Sequence, residues 1–409
     1  MRIAFFVNQF PNTSETFILN QITGLIDKGH TVHIYANYYN KKAKIHPVVK
    51  QYKLLDRCRF LCKIISSSEL KNFEMLKTII LKSVKDPYKM LLYLKCCIKD
   101  KQFFDLKYLQ AMLSFPKKVK YDVICCHFGY NGMMGILLRD TDHISGKVAT
   151  FFHGNDISQY IKQKGKNTYK YLFKKGELFL PISNRWRRKL IFLGCSDNKI
   201  VVHRMGINTE FFKKSATIKK DSDKITILTV GRLVEKKGIE FGIKAVSKII
   251  KEHPNYKIEY LIIGSGPLER NLKNLIKSEN VELRIKLLGA QNQDVIKKYL
   301  EKADIFLAPS VTSKNGDQEG IPVSIMEAMA MELPVITSKH SGINELIQEG
   351  ISGFMVNERN IETLADRLFF LIDNSDIRKQ MGKKGREFIC ENYNIDSLNN
   401  RLEELFLQL

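Results

Sequence analysis

Short, uninterrupted apolar runs recur along this chain, and a turn and a segment of helical periodicity follow most of them. In the N-terminal half the runs lie near Arg2–Asn8, Thr31–Tyr35, Val123–Cys126, Val148–Phe152, Leu178–Ile182 and Ile200–His203. Apolar runs of this length are typical of parallel strands that are buried on both faces. The C-terminal half repeats the alternation, starting with Lys224–Val230. The pattern predicts an α/β fold with two doubly wound, Rossmann-like domains.

A domain boundary is predicted where this alternation stops. Residues 204–223 contain Met205-Gly206-Ile207-Asn208 and then a polar stretch without periodicity. We therefore expect an N-terminal Rossmann-like domain at 1–205, which carries a basic helical insertion at 41–120, and a second Rossmann-like domain at 206–385. A final helical segment at 386–409 has an apolar stripe that needs a partner.

No run of 18 apolar residues occurs, so the sequence predicts no transmembrane helix. The first eight residues are too short for a secretory signal and are typical of a buried strand. The eight cysteines include two adjacent pairs and no spacing typical of a zinc site, so we expect buried thiols and no bound metal. Together these features predict a cytoplasmic protein.

Positive charge is concentrated in the N-terminal half. The net charge is +23, from 66 basic and 43 acidic residues. Residues 1–215 hold 38 of the basic and 15 of the acidic residues, whereas residues 216–409 hold 28 of each. A basic domain attracts phosphate-rich partners. Charge alone leaves three alternatives open: nucleic acid, an anionic membrane surface, and a solvated face without a partner.

The 41–120 insertion combines lysines with aromatic and long aliphatic side chains at helical spacing, as in Lys77–Lys82 and Tyr88–Lys95. Such helices lie on membranes in some proteins, and in others they pack on a core with their lysines extended into water. Because the charge of the chain is so unevenly divided, we expect contact with an anionic membrane surface. The chain contains no recognised nucleic-acid-binding module, so we expect no nucleic-acid partner.

Two carboxylates, Glu319 and Glu327, stand eight positions apart around the predicted start of an apolar helix. A loop of glycine and polar residues precedes them, and Pro322 stands where a first helical residue belongs. The first turn of a helix has free N–H groups and a positive dipole end, so it binds anions such as a diphosphate. An ionised carboxylate accepts hydrogen bonds from sugar hydroxyls. The arrangement indicates a nucleotide-sugar site.

Four further motifs accompany this pair in a fixed order. They are Gly231-Arg232-Leu233-Val234-Glu235-Lys236-Lys237-Gly238, Ile262-Ile263-Gly264-Ser265-Gly266, Ala303-Asp304-Ile305-Phe306-Leu307-Ala308-Pro309 and Leu333-Pro334-Val335-Ile336-Thr337. With the Glu319–Glu327 pair they resemble the donor-sugar domain of the retaining glycosyltransferases of family 4. The resemblance implies the GT-B fold, in which two Rossmann-like domains face each other across a cleft and the last helix crosses back to the N-domain.

The resemblance also implies roles for individual residues. Arg232 and Lys237 would bind the diphosphate and stabilise its negative charge as it leaves, although Lys236 stands beside Lys237 and is an alternative. Glu319 would lie beside the transferred sugar, and Glu327 would contact the nucleotide ribose. Family members keep the anomeric configuration of the sugar and use such phosphate contacts without a metal or cofactor.

Further donor-binding residues follow from the same resemblance: Gly231, Gly264, Gly320, Ile321 and Val323. In the N-terminal half, His153 and Gly154 match a His-Gly motif that faces the donor sugar across the cleft. His127 is similarly placed after a strand, with a weaker claim to a role in the site.

The segment Phe10–Phe17 resembles the family branch that assembles bacterial exopolysaccharide and capsule. We therefore expect transfer from a nucleotide-diphosphate-sugar, such as a UDP- or GDP-sugar, to a lipid-linked or other glycan acceptor at the inner face of the plasma membrane. A non-catalytic nucleotide-sugar-binding subunit of a polysaccharide assembly complex is the main alternative. A nucleotide-sugar epimerase is a weaker one, because such enzymes lack this arrangement of motifs.

Overall fold

The chain forms two compact units in a computed structural model that describes residues 1–12, 15–40, 45–62, 84, 87–115, 118–215 and 224–409. The first unit comprises Met1–Arg204 together with Asn399–Leu409, and the second comprises Met205–Leu398. Much of the 41–120 insertion, including Lys77–Lys82, lies outside the described residues. Among the described residues, no helix is both long enough and apolar enough to cross a bilayer.

The first unit is built on a parallel six-stranded sheet with the order β3-β2-β1-β4-β5-β6. Its strands are β1 Arg2–Phe10, β2 Thr31–Tyr39, β3 Cys58–Phe60, β4 Val119–His127, β5 Ile144–Phe152 and β6 Leu178–Pro181. The central strands are buried on both faces, as their continuous apolar sequence predicts. The order of the strands reverses between β1 and β4, and ligands of such sheets bind at the carboxyl ends of the strands beside a reversal of this kind.

Helices flank this sheet. They are α1 Thr16–Asp27, α2 Pro47–Gln51, α3 Pro87–Lys99, α4 Leu106–Ser114, α5 Gly129–Asp140, α6 Gln159–Lys164, α7 Lys170–Lys175 and α8 Asn184–Phe192. Short 3-10 segments occur at Lys101–Phe104 and Asp197–Lys199. The described part of the insertion is largely helical, as its periodicity indicates. The prediction is wrong at Cys58–Phe60, which pairs with β2 as the edge strand β3, and at the end of the insertion, where β4 begins at Val119.

The second unit has a parallel six-stranded sheet with the order β12-β11-β10-β7-β8-β9. Its strands are β7 Lys224–Val230, β8 Lys257–Ile263, β9 Ile285–Leu287, β10 Ile305–Ala308, β11 Val335–Ser338 and β12 Gly353–Val356. Its helices are α9 Ile239–Glu252, α10 Glu269–Ser278, α11 Gln293–Lys302, α12 Val323–Ala330, α13 Ile361–Asp373, α14 Ser375–Asn392 and α15 Ile395–Leu407. If β7 is counted as the first strand and the sheet is read from β9 to β12, the strand order is the same as in the first unit. The order reverses between β7 and β10.

One predicted strand, Ile200–His203, is wrong. Ile200 forms a single bridge with Phe179, and the segment then runs beside β6 without joining the sheet as a strand. Val201 and His203 each donate one N–H to a carbonyl of β6. Pro181 of β6 has no N–H with which to return a bond, so the ladder cannot continue.

The C-terminal segment also differs from the prediction of one helical unit at 386–409. Residues up to Asn392 belong to α14, which packs closely on the second unit, since a Cβ at Gly382 would lie 2.1 Å from the carbonyl oxygen of Glu332. Only Asn399–Leu409, which comprises most of α15 and the two residues after it, belongs to the first unit. There the Glu403 carboxylate pairs with Lys28 at 2.8 Å, which attaches the helix to the end of α1.

Candidate functional site

The strand-end loops of the second unit meet where its strand order reverses. A Cβ at Gly264, after β8, would lie 1.8 Å from the carbonyl oxygen of Gly231, after β7. A Cβ at Gly238, which has a φ of +60°, would lie 1.9 Å from the carbonyl oxygen of Pro309, after β10. Glycine is therefore required where these backbones cross. The predicted donor-binding glycine Gly264 thus has a packing role in addition to any role in binding.

Two lysines of the 3-10 segment Glu235–Lys237 converge on Glu319. Lys237 Nζ lies 3.3 Å from Glu319 Oε2, and Lys236 Nζ lies 3.8 Å from Glu319 Oε1. Lys236 Nζ also lies 3.0 Å from Asp317 Oδ2. The structure therefore brings together the predicted residues Lys237 and Glu319, and it adds Asp317 to them.

Glu319 remains ionised although it is only 7% exposed. Burial raises the pKa of this carboxyl, but the charges of Lys237 and Lys236 outweigh burial and hold the pKa below its usual range. Its Oε1 atom has no hydrogen-bond partner among the described residues. The arrangement keeps a negative charge beside two ammonium groups and leaves one carboxylate oxygen available to a ligand.

The backbone of Glu319 is held by a buried histidine that the sequence did not indicate. The Glu319 N–H donates to His340 Nε2 at 3.1 Å, so the proton of the neutral ring lies on Nδ1, which donates to Glu358 Oε1 at 2.6 Å. Glu358 also accepts the Thr312 N–H at 2.8 Å. His340 and Glu358 follow β11 and β12, so the ends of three neighbouring strands hold the loop that carries Glu319.

The N-terminus of α12 supplies free amide groups next to this carboxylate. Among the described residues, nothing accepts a hydrogen bond from the N–H groups of Gly320, Ile321 or Val323. Pro322 precedes the helix instead of forming its first residue, and α12 begins at Val323. A Cβ on Gly342 would lie 2.7 Å from the carbonyl oxygen of Gly320, which shows how closely the loop is packed. These amides and the helix dipole suit an anion.

Glu327 lies within α12 and differs from Glu319 in charge. It is 7% exposed and accepts one hydrogen bond, at 3.4 Å, from Gln293 of α11. Burial raises its pKa to about 7, against the smaller opposing effect of that hydrogen bond. Glu327 is therefore partly protonated near neutral pH and can both donate and accept hydrogen bonds there.

Arg232 follows β7 and is exposed. No ion pair or hydrogen bond of its guanidinium with any described residue is present. An unengaged guanidinium is suited to a phosphate, which it can bind through two N–H groups at once.

In the first unit, His127 and His153 form a buried pair at the ends of β4 and β5. His127 Nδ1 lies 3.0 Å from His153 Nε2, so one ring donates to the other. Burial lowers the pKa of His127 well below its usual range and that of His153 to about 3, so both rings are neutral. The outer nitrogens, His127 Nε2 and His153 Nδ1, have no hydrogen-bond partner among the described residues.

Asp156 holds the two loops that carry these histidines. Its carboxylate accepts the N–H groups of Gly129 at 2.9 Å, His153 at 3.1 Å and Gly154 at 3.0 Å. Asp156 is fully buried, and burial raises its pKa to about 6 in spite of the three amide donors. The sequence carries a signal for it, because an acid three residues after a strand-ending histidine is placed to accept loop amides.

Comparisons with known proteins identify the family and the fold. Residues 210–388 match the family model described as glycosyl transferases group 1. The amylovoran biosynthesis glycosyltransferase AmsK of Erwinia amylovora is 39% identical over 377 residues, which cover 89% of each chain. WcaL of Salmonella typhimurium, named for colanic acid biosynthesis, is 36% identical over 99% of each chain.

Among solved structures, HepE of Anabaena in complex with UDP matches with a TM-score of 0.71 at 15% identity and covers 100% of both chains. At this identity the likeness concerns the fold alone. It confirms the predicted α/β, two-domain GT-B fold.

Proposed function

The chain belongs to the group 1 glycosyltransferases, in agreement with the resemblance that its motifs predicted, and we propose that it builds a surface polysaccharide. In this proposal it moves a sugar from a nucleotide-diphosphate-sugar to a lipid-linked or other glycan acceptor. The relatives named for amylovoran and colanic acid biosynthesis support the polysaccharide. The match to a UDP complex makes UDP-sugars the first donors to test.

The observation that carries this proposal is the position of Glu319. It is a buried, ionised carboxylate between two lysines, beside the free amides of the α12 N-terminus, at the point where the sheet order reverses. Carboxylate and cations thus stand side by side, which suits a ligand that joins an uncharged sugar to a charged diphosphate.

The proposed roles follow from the charge that develops during transfer. As the bond from the anomeric carbon to the diphosphate breaks, negative charge grows on the leaving group, and Arg232, Lys237 and the amides of Gly320, Ile321 and Val323 stabilise it. The carboxylate of Glu319 orients the sugar. Gly231 and Gly264 let the nucleotide approach the backbone.

Glu327 accepts a hydrogen bond from the ribose in this proposal. His153 and Gly154 contact the donor sugar, since the free Nδ1 of the neutral His153 ring suits a hydroxyl group. We further propose that transfer keeps the anomeric configuration and needs no metal or other cofactor, because the basic side chains and amides supply the positive charge that a metal would otherwise supply.

The test is turnover by the purified full-length protein with a panel of UDP- and GDP-sugars and lipid-linked glycan acceptors. We expect one donor to be consumed in the presence of a chelator, with retention of configuration in the product by proton NMR. An inverted product contradicts the retaining mechanism. Donor binding without turnover for any pair favours the alternative of a non-catalytic nucleotide-sugar-binding subunit.

We also propose that the first unit binds an anionic membrane surface through α3. The helix buries Tyr93, Cys96 and Cys97 and turns Leu91, Leu94 and Ile98 outward, with exposures of 51%, 45% and 82%. Lys95 and Lys99 are also exposed, and α3 has no acidic residue. A face that is both apolar and basic suits anionic lipid better than nucleic acid. In this proposal the protein lies peripherally on the cytoplasmic face of the plasma membrane, where it meets a lipid-linked acceptor.

A further inference from the structure

Three consecutive residues, Glu235–Lys237, bind the loop that carries Glu319. We call residues 311–319, which follow β10, the donor loop. The side chains of Glu235, Lys236 and Lys237 contact successive residues of that loop. Glu235 Oε1 accepts the Lys314 N–H at 3.0 Å. Lys236 Nζ lies 3.0 Å from Asp317 Oδ2, and Lys237 Nζ lies 3.3 Å from Glu319 Oε2. The Val311 N–H also donates to the Lys236 carbonyl at 2.9 Å. The segment and the donor loop therefore form one clasp.

Within the clasp the two lysines are not equivalent. Lys236 is 9% exposed and has two carboxylates within 4 Å, Asp317 at 3.0 Å and Glu319 at 3.8 Å. Among the residues that the structure describes, Lys237 pairs with Glu319 alone, at 3.3 Å. Each lysine thus has a carboxylate of its own, and Asp317 neutralises the ammonium group that would otherwise compete with Lys237 for Glu319.

We propose that Lys236 and Asp317 are positioning residues for transfer, a role that rests on the proposed function. Their ion pair holds the donor loop closed on the segment. It also satisfies the charge of Lys236, so that Glu319 stays between the two lysines and does not move fully onto Lys236. Lys237 is then the lysine that serves the diphosphate, a choice that the sequence motif left open.

The proposal makes a specific statement about the loss of Asp317. In the Asp317→Asn variant the Lys236 ammonium is buried without its partner, and the nearest negative charge is Glu319 Oε1. A buried charge without a partner is strongly unfavourable, so Lys236 draws Glu319 away from Lys237. The Glu319 carboxylate is then displaced from the position in which it orients the sugar. Lys237 and Arg232 remain free to bind a diphosphate.

The experiment compares the full-length wild type with Asp317→Asn, Lys236→Met and the double variant. Turnover is measured with a UDP- or GDP-sugar that the wild type consumes. We expect Asp317→Asn to lower kcat at least about 10-fold with little change in the affinity for UDP or GDP alone, measured by calorimetry. The double variant removes the competing ammonium as well, and we expect its kcat to recover to within about 3-fold of the wild type.

If the ion pair only held the loop, the double variant would not recover. Its kcat would then be no higher than that of the slower single variant. That result, or wild-type kcat in Asp317→Asn, overturns the proposal. Asp317→Glu keeps the charge and should stay within about 3-fold of wild-type kcat. Lys379→Met, which breaks an exposed ion pair of α14, is the matched control and should leave kcat unchanged.

A crystal structure of Asp317→Asn tests the same idea without any turnover. The distance from Lys236 Nζ to Glu319 Oε1 should shorten from 3.8 Å to about 3 Å, the length of a charge-assisted hydrogen bond. An unchanged distance overturns the proposal even if kcat falls. If the wild type neither binds nor consumes any nucleotide-sugar, the proposed function is wrong. The crystallographic test of the ion pair does not depend on that result.

Discussion

Asp156 in the first unit and Glu319 in the second are both buried carboxyls in loops at the carboxyl ends of parallel strands, yet their pKa values are shifted in opposite directions. Asp156 accepts three backbone N–H groups, and its pKa rises to about 6 because of burial. Glu319 faces two ammonium groups, and its pKa falls below the usual range. Three amide dipoles do not offset the loss of water around a carboxylate, whereas two nearby positive charges do.

The difference matches the groups that each unit presents. In the first unit, His127 and His153 are neutral and can only exchange hydrogen bonds with a ligand. In the second unit, Arg232 and Lys237 present positive charge that a diphosphate can use. The expected division of labour is therefore hydroxyl recognition in the first unit and stabilisation of the charged leaving group in the second.

The largest expected effect concerns Asp156. Replacing it with alanine leaves three buried N–H groups without an acceptor, at about 1 kcal/mol or more each, so the first unit should lose about 3 kcal/mol or more. Trp186, the only tryptophan of the chain, is buried in this unit, and its fluorescence during denaturant unfolding reports the loss. Asp122→Ala, which removes an exposed acceptor of one N–H, should cost less than about 1 kcal/mol. Equal losses in the two variants would contradict the assigned role of Asp156.

The next effect concerns the charged region of the second unit. Arg232→Ala should lower turnover by about 100-fold, equivalent to about 2.7 kcal/mol, because a fixed positive charge at the leaving group is lost. Arg232 is exposed, so the melting temperature should not change. Lys237→Ala should lower turnover by a similar factor but also leaves Glu319 with Lys236 alone. Lys273→Met, at an exposed pair of α10, is the control. Near-normal turnover in both Arg232→Ala and Lys237→Ala would remove these residues from the mechanism.

Glu327 sharpens the comparison, because it is buried like Glu319 but has no ammonium partner. Its ordinary pKa is 4.5 and its folded pKa is about 7, so ionisation disfavours the folded state. Below pH 4.5 the penalty is absent; it grows as the pH rises from 4.5 to 7 and is complete above 7. Glu327→Gln should therefore stabilise the protein by about 3 kcal/mol at pH 8 and by almost nothing at pH 4.5. A stability difference that does not vary with pH would mean that Glu327 is not desolvated.

The fold was predictable because its signal is local. The apolar run Lys224–Val230 coincides with β7, and the glycines after β7 and β8 stand where two backbones cross. Such features depend on neighbouring residues and on the alternation of strands and helices. The fold class and the family were therefore confirmed. The assigned roles of Glu319, Glu327 and His153 remain predictions.

The parts of the site that could not be predicted join segments distant in sequence. The Lys236–Asp317 pair and the contact of His340 with Glu319 form only when the ends of different strands are brought together. The place of Asp156 three residues after His153 marks its contact with the local amides, but its bond to the Gly129 N–H joins the ends of two strands, and no residue type marks that partner. The strand predicted at Ile200–His203 failed because of Pro181, a residue of the neighbouring strand.

The smallest expected effect tests the other contrast between the units, their net charge. The outward face of α3 should attach the protein to vesicles that contain anionic lipid, and attachment should weaken as salt rises, because the Debye length falls to roughly 3 Å at 1 M. Each lysine near such a surface contributes about 1 kcal/mol, so Lys95→Gln should weaken binding about 5-fold in vesicle sedimentation.

Ile98 supplies the apolar part of the same face, since it is 82% exposed and has no acidic neighbour on α3. Ile98→Ser should weaken binding at every salt concentration, whereas the effect of Lys95→Gln should fade at high salt, because salt screens charge but leaves apolar burial in place. Lys379→Gln removes a positive charge from the second unit and should bind as the wild type does. Equal binding to neutral and anionic vesicles, or an equal loss with Lys379→Gln, would show that the position of the charge on α3 does not matter and that the basic first unit is merely solvated.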